Sequence, residues 1–443
     1  NITQIQRTWE QMMLTYEYGV RELWVVNVGD LKPMEYPITF FLDMAWNPGR
    51  FNENNLFQHT VDFCKQQFGG NYAEEAARLI DTYTKYNRRV TPEMLNDRTY
   101  SLENYDEVYR AVAFFIHRYG RIDWLESNNE YWLERDARLR TAFHITSGFQ
   151  EDDIPRIKYK SKMKAYYVQA GIPTARYHLV DTLEECEKFI KEVGYPVVVK
   201  PDNGVGASRT YKLEDQGQLE EFFRTKEPEV SYIMEEFVVA EVNSYDAIID
   251  SNGDPIFETG NVTPISIMDI VNHEDNALFY IVKQLSSDVR LAGRATVKSF
   301  NVRSRFVHFE FFRLQKDQKG LGRKGDIVGL EVNMRPCGGF SPDMMDFACK
   351  TDVYKIWADM IAFNRTQMQP GDREYCAFVG RRDGKKFILG HEDIMTKYSK
   401  NIRMADRLPD VLAEAMGNQI YIAVFPTKRD MDNFFQDALK YEF

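Results

Sequence analysis

The stretch VGLEVNMRPCGG at 328–339 constrains this chain most, because it sets two oxygen ligands and a guanidinium at alternate positions of one strand. Side chains two residues apart share a strand face, so Glu331, Asn333 and Arg335 point the same way. Upstream, FVHFEFF at 306–312 places Glu310 among aromatics in a second strand, where a carboxylate needs a cation as partner. The loop KDQKGLGRKGD between them allows antiparallel pairing, so Glu310, Glu331 and Asn333 converge. Two carboxylates and an amide oxygen are hard ligands of the Mg²⁺ type, with phosphate oxygens completing the octahedron. Arg335 would neutralise charge on a transferred phosphoryl group. Any one of these acids alone reads equally well as a surface strand residue. Glu-x-Asn-x-Arg followed by Pro336-Cys337-Gly338-Gly339 is a much more specific pattern.

A second group of residues suits phosphate. VVVK at 197–200 ends an apolar strand on Lys200, and a strand buried on both faces spends a lysine only where its ammonium meets an anion. Pro201-Asp202-Asn203-Gly204-Val205-Gly206-Ala207-Ser208 follows, and its glycines let backbone N–H groups turn towards a phosphate. By itself, that loop is better explained as an ordinary glycine turn, because short glycine patterns are common. Lys160 lies in a run with Lys158, Lys162 and Lys164, which also suits a solvated face. The strand YIMEEFV ends in Glu235-Glu236, an acid pair that is either solvated or placed to accept from an adenine amino group.

A chain of 443 residues is expected to divide into two to four domains. Its net charge of −11 argues against a general nucleic-acid surface, leaving room only for a local basic groove. Cys64, Cys186, Cys337, Cys349 and Cys376 are scattered without CxxC spacing, so neither a disulfide framework nor a zinc site is expected, and a reducing cytoplasm fits best. No apolar run approaches the ~18 residues of a membrane helix, and no signal-peptide pattern is visible.

Hydrophobic spacing predicts helices over 4–18, 73–87, 104–119 and 130–143, with strands at 22–28 and 121–126. Further on it predicts helices at 158–170, 182–193 and 214–225, and strands at 196–200, 230–236, 242–249, 303–314 and 326–333. After residue 365, CAFVGRRDGKKFIL reads as two strands about an Arg-Asp-Gly turn, followed by the strand IYIAVF and a closing helix from KRDMDNFFQDALKY.

Taken in order, KYKSKMKAYYVQAGIP, GYPVVVKPDNGVGAS, YIMEEFVVAE, VHFEFF and LEVNMRPCGG resemble the ATP-grasp superfamily. The nearest branch is that of carboxylate–amine ligases, biotin carboxylase and the large subunit of carbamoyl phosphate synthetase. The resemblance implies a two-lobed α/β and α+β clamp over 156–365, with a lid lobe at about 160–235 and a large lobe at 236–365. A partial pre-ATP-grasp segment at 101–155 and a C-terminal α+β module at 366–443 would flank it. It implies ATP and Mg (or Mn), a small carboxylate made into an acyl phosphate, and attack by an amine or similar nucleophile. Lys160 and Lys200 would contact the ATP phosphates, with Asn203, Gly204, Gly206 and Ser208 folding over them. Glu235, Glu236 and Val238 would meet the adenine and Glu241 the ribose. Glu310, Glu331 and Asn333 would hold the metal, and Arg335 would face the γ-phosphate.

The front of the chain follows another plan. ELWVVNVGDLKPMEYPITFFLDMAWNP and FGGNYAEEAARLIDTYTKYNRRVTPEML resemble part of the family 115 glycoside hydrolases, the xylan α-glucuronidases. That resemblance implies an incomplete (β/α)-barrel-like fragment over 1–100, with Asn27, Asp30, Lys32 and Glu35 as a sugar-site remnant. A closed barrel needs ~250 residues and a glycosidase needs two carboxylates across a formed cleft. The fragment is therefore expected to be scaffold without hydrolase activity. The rival expectations are an ATP-binding protein with impaired chemistry, and a carbohydrate-active fragment.

Overall fold

The computed structural model describes residues 3–28, 34–86, 105–204, 209–264 and 275–441. Its contacts divide the chain into Asn1–Ala111 and Val112–Phe443.

The first unit is built from α1 (Ile5–Glu17), α2 (Glu35–Trp46), α3 (Leu56–Phe68) and α4 (Ala73–Tyr86), and α5 (Tyr105–Tyr119) runs across the division. Ile5, Tyr36, Phe40, Met44, Phe51 and Leu56 form its main core. The expected helices appear within two residues of their predicted ends. The strand expected at 22–28 does not form: residues 23–28 join no ladder, and Leu23 and Val25 are 75% and 86% exposed. A barrel strand is stabilised by neighbouring strands, and this unit contains only helices among its described residues.

The second unit starts with α6 (Leu133–Ala142), α7 (Ile154–Lys158) and α8 (Lys160–Gln169). The strand expected at 121–126 is also absent. Its carbonyls are taken by side chains instead: Ser147 Oγ donates to Asp123 and Arg140 Nη1 donates to Leu125 at 2.7 Å. The single helix expected at 158–170 is broken at Tyr159, whose backbone is extended (φ −91°, ψ 118°). That break lets the Lys160 amide reach the carbonyl of Asp202 at 2.9 Å.

Then come β1 (Tyr177–Leu179), α9 (Leu183–Val193), β2 (Val197–Pro201), β3 (Tyr211–Leu213), α10 (Gln216–Thr225) and β4 (Tyr232–Glu236). These strands form an antiparallel sheet of order β1-β4-β2-β3. The two helices cover it and are capped by Thr182 and Asp215, each accepting a backbone N–H from three residues on. Cys186, Val197, Val199, Leu219, Phe222 and Met234 fill the space between.

The remainder comprises β5 (Ala240–Ile249), β6 (Pro255–Thr259), β7 (Asn261–Thr263), β8 (Ala277–Ile281), α11 (Ser287–Ser299), β9 (Arg305–Leu314) and β10 (Ile327–Asn333). It continues with α12 (Ser341–Cys349), α13 (Val353–Phe363), β11 (Tyr375–Arg381), α14 (His391–Lys397), β12 (Ile402–Arg407), α15 (Asp410–Met416), β13 (Gln419–Phe425) and α16 (Lys428–Leu439). One antiparallel sheet of order β10-β9-β5-β7-β8-β11-β13-β12 runs through it, with β6 on β5. The strands after 365 thus extend the sheet that carries Glu310 and Glu331. The second strand expected after the Arg-Asp-Gly turn is a loop, where Phe387 makes one bridge to Tyr441 and lies under the Arg381 guanidinium.

Close packing sets the register at the site. A Cβ on Gly329 would lie 2.6 Å from Cγ of the buried Tyr167, so only glycine fits there. The β10 register shifts between Gly329 and Glu331, and that shift brings Glu331 opposite Glu310. Gly329→Ala should cost about 1–3 kcal/mol through overpacking. Urea denaturation checks this, and an unchanged midpoint contradicts it.

Candidate active site

Two elements deliver three lysines to one place. Lys160 and Lys164 share a face of α8 at i,i+4 spacing, and both are buried. Lys200 ends β2. Asp202 ties these elements together: its carboxylate accepts the Ser161 N–H and Oγ–H, both at 2.7 Å, and so caps α8 from the far side of the chain. Of the four lysines in the run, Lys162 is exposed and Lys158 pairs with Glu134 at 2.9 Å.

Glu235 lies between two of these cations, with Lys164 Nζ at 2.5 Å and Lys200 Nζ at 2.7 Å. Burial alone would raise its carboxyl, but the two ammoniums outweigh it and hold the group down at about 2. Burial alone would likewise lower Lys200, yet Glu235, Glu331 and Glu310 keep it above its ordinary value. For Lys164 burial wins, and its ammonium is lowered. Lys160 Nζ donates to the Gly204 carbonyl at 2.8 Å and sits 3.2 Å from a Glu331 oxygen.

The metal-type residues meet as the strand pattern requires. Glu331 lies directly opposite Glu310, and Asn333 opposite His308. Ser244 and Asp246 of β5 face Glu310 and His308 from the other side of β9. Two carboxylates directly opposed on neighbouring strands repel unless a cation lies between or beside them. Lys160 and His308 serve here, with His308 Nε2 3.5 Å from Glu310 and Nδ1 2.7 Å from Asp246. Burial would lower His308, but Cys337 and Asp246 overcome it and hold the imidazolium well above its usual range. Burial pushes Glu310 up, and His308, with Arg335 and Lys200, brings it below its ordinary value. The oxygen set of Glu310, Glu331 and Asn333 fits a hard divalent ion.

Arg335 reaches back, its Nη2 donating to Asn333 Oδ1 at 3.2 Å while its Nε lies 3.5 Å from Glu130. The strand end is braced from behind, where Arg305 Nε donates to the Met334 carbonyl at 2.7 Å. Glu126 accepts from both Arg305 and Arg140, so residues 126–140 support the end of β10.

The structure brings together Lys160, Lys200, Glu235, Glu310, Glu331, Asn333 and Arg335. Glu236 is engaged elsewhere: Arg176 donates to its carboxylate through the backbone N–H at 2.7 Å and through Nη2 at 2.6 Å. Val238 is buried beside Ala175, Leu314, Leu321 and Val328, while Gln318 bonds the flanking Phe237 carbonyl and Val239 amide. Glu241 is opposite Arg313, so strand alternation puts it on the other face from Glu310, where it lines a cavity of ≈ 270 Å³ with Tyr280 and Asn261. Asn203 is exposed, and Gly206 and Ser208 lie outside the described residues. In the first unit Asn27 and Glu35 are exposed, while Asp30 and Lys32 lie outside the described residues. The sequence reasoning missed Lys164, Asp246, His308, Glu126 and Glu130 as site residues. Two of these carried a signal, since Lys164 is one turn beyond Lys160 and His308 is two residues before Glu310.

Residues 1–94 match the family model Glycosyl hydrolase family 115. The L-arginine-specific L-amino acid ligase of Bacillus subtilis is 26% identical over 118 residues, a stretch that covers 27% of this chain and 28% of that relative. The L-amino acid ligase from Bacillus licheniformis is similar in structure at a TM-score of 0.57 and 16% identity, over 77% of this chain and 85% of that one. The biotin carboxylase domain of the Hydrogenobacter thermophilus 2-oxoglutarate carboxylase, in complex with MgADP, ADP and bicarbonate, gives 0.52 at 15% identity, over 76% and 77%. This chain therefore has the ATP-grasp fold over about 104–443 and, at 1–94, a segment similar to family 115 glycosyl hydrolases.

Proposed function

We propose that the larger unit is an ATP- and divalent-metal-dependent ligase that activates a carboxylate as an acyl phosphate for attack by an amine. The observation carrying this reading is the charge arrangement between β9, β10, β2 and α8: Glu331 opposite Glu310, with Lys160 3.2 Å from the first and Lys200 held beside both. The lysines and acids of this arrangement neutralise one another. With nucleotide bound, the lysines turn to phosphate oxygens and the acids are released to a cation.

Lys160 and Lys200 hold the phosphates, with Glu235 setting the direction of Lys200 through their 2.7 Å pair. Glu310, Glu331 and Asn333 would hold Mg²⁺, which supplies charge neutralisation to the phosphoryl group being transferred. Arg335 approaches that group from the Asn333 side and is oriented by Glu130. The substrate carboxylate attacks the γ-phosphorus in line, and ADP leaves. Positioning and charge neutralisation carry most of such a transfer. The adenine end falls at the Glu235–Val238 turn. The hard oxygen donors favour Mg²⁺ over softer ions.

A panel of carboxylates with hydroxylamine as acceptor tests the reading. At least one carboxylate should give ADP and its hydroxamate in equal amounts. Nucleotide binding with no carboxylate-dependent ADP release would reduce the chain to an ATP-binding protein. The first unit is expected to release no glucuronic acid from xylan oligosaccharides, and release lost on Glu35→Ala would contradict that.

A further inference from the structure

We infer that His178, Asp181 and Cys186 form a transition-metal site on the four-stranded sheet, taking a zinc-class divalent ion with three protein ligands and one exchangeable position. One ligand atom from each of the three lies within 4.8 Å of the others. They come from three successive pieces of chain: His178 from the middle of β1, Asp181 from the turn, and Cys186 from the early part of α9.

Each donor is already oriented. His178 Nε2 lies 3.0 Å from Asp181 Oδ1, and its ring stacks on Phe189 at 6.0 Å with 25° between planes. The Asp181 carboxylate is fixed by the Thr182 N–H at 2.6 Å. The Cys186 sulfur is buried within 4.8 Å of the other two donors, and burial pushes its thiol up to about 11, a cost that binding to the ion must offset. With metal–ligand bonds of about 2.0–2.3 Å, the edges of a tetrahedral site come to roughly 3.3–3.7 Å. The His–Asp edge is therefore near its bound length, and the longest edge closes by about 1 Å.

A surface His–Asp pair and a core cysteine explain these residues one at a time. Neither requires all three donors to converge. The mix of nitrogen, oxygen and sulfur selects zinc, cobalt or a similar ion over Mg²⁺ or Ca²⁺, which take oxygen donors. The cluster contains none of the cleft residues, so its ion is separate from the one proposed at Glu310 and Glu331. Cys186 enters as thiolate, with its proton passing to solvent, and no electron is transferred. Because β1 is an edge strand that pairs only with β4 among the described residues, the ion would fasten that edge to α9.

The test is titration of the full, metal-stripped chain with Co²⁺. One equivalent should give a sulfur-to-cobalt charge-transfer band with tetrahedral visible bands, both removed by one equivalent of Zn²⁺. His178→Ala, at a half-exposed position that does not threaten the core, should weaken binding about 100-fold or more. Cys186→Ser should abolish the sulfur band, and Cys337→Ser should leave it intact. Zn²⁺ should raise the melting temperature of the parent chain but not of His178→Ala. No sulfur band in the parent, or a band that survives Cys186→Ser, overturns the site.

Discussion

Lys200→Ala should weaken nucleotide binding roughly 30-fold to several thousand-fold, which is the 2–5 kcal/mol of a buried charge-assisted contact. The chain should remain folded. Glu235 keeps Lys164 at 2.5 Å when Lys200 is removed, so the substitution orphans no carboxylate. Nor does it remove core volume, since the ammonium points towards Glu235, Glu331 and Glu310 rather than into the apolar cluster under β2. Calorimetry on a variant with native circular dichroism checks this. Unchanged ATP affinity there would take Lys200 out of the site.

Glu331→Gln should separate docking from chemistry. The substitution keeps size and one carbonyl oxygen but removes half of the charge that faces the cation across β9 and β10. The adenine end, at the Glu235–Val238 turn, is untouched, so binding should weaken but persist. Carboxylate-dependent ADP release should fall about 100-fold or more, because the metal neutralises charge that peaks in the transition state. Glu310→Gln should behave alike, and the double variant should lose much less than the sum, since both acids serve one ion. A fluorescent-nucleotide titration run beside an ADP assay reads both effects. Normal binding with wild-type ADP release in Glu331→Gln would make the Glu-x-Asn-x-Arg strand structural only.

The cleft was legible because strand periodicity and aromatic surroundings mark Glu310, Glu331 and Asn333 without reference to the rest of the chain. What escaped is tertiary in origin. β1, β3 and β7 are three residues each and exist only because a neighbour pairs with them. α11 has Gly293 in its middle, a poor helix residue, yet a Cβ there would fall 2.1 Å from the Tyr245 ring. Contact with β5 overrides propensity at that position. Residues 22–28 and 121–126 have strand composition but join no strand ladder among the described residues, and the second stretch spends its polar groups on Arg140 and Arg305. Glu236 looked equivalent to Glu235, and nothing local revealed that Arg176, sixty residues upstream, holds it. Glu241 looked like part of the site because it follows the hinge, but its odd spacing from Ser244 turns it to the opposite face.

Positional isotope exchange in ATP tests the central claim most directly. ATP labelled with ¹⁸O at the β,γ-bridge is incubated with the protein, Mg²⁺ and a carboxylate, without any amine acceptor. Reversible acyl phosphate formation predicts scrambling of label into the β-nonbridging positions, dependent on the carboxylate and lost in Lys200→Ala and Glu331→Gln. ATP that binds but shows no scrambling with any carboxylate, under conditions where ADP still forms, would contradict activation through an acyl phosphate at this cleft.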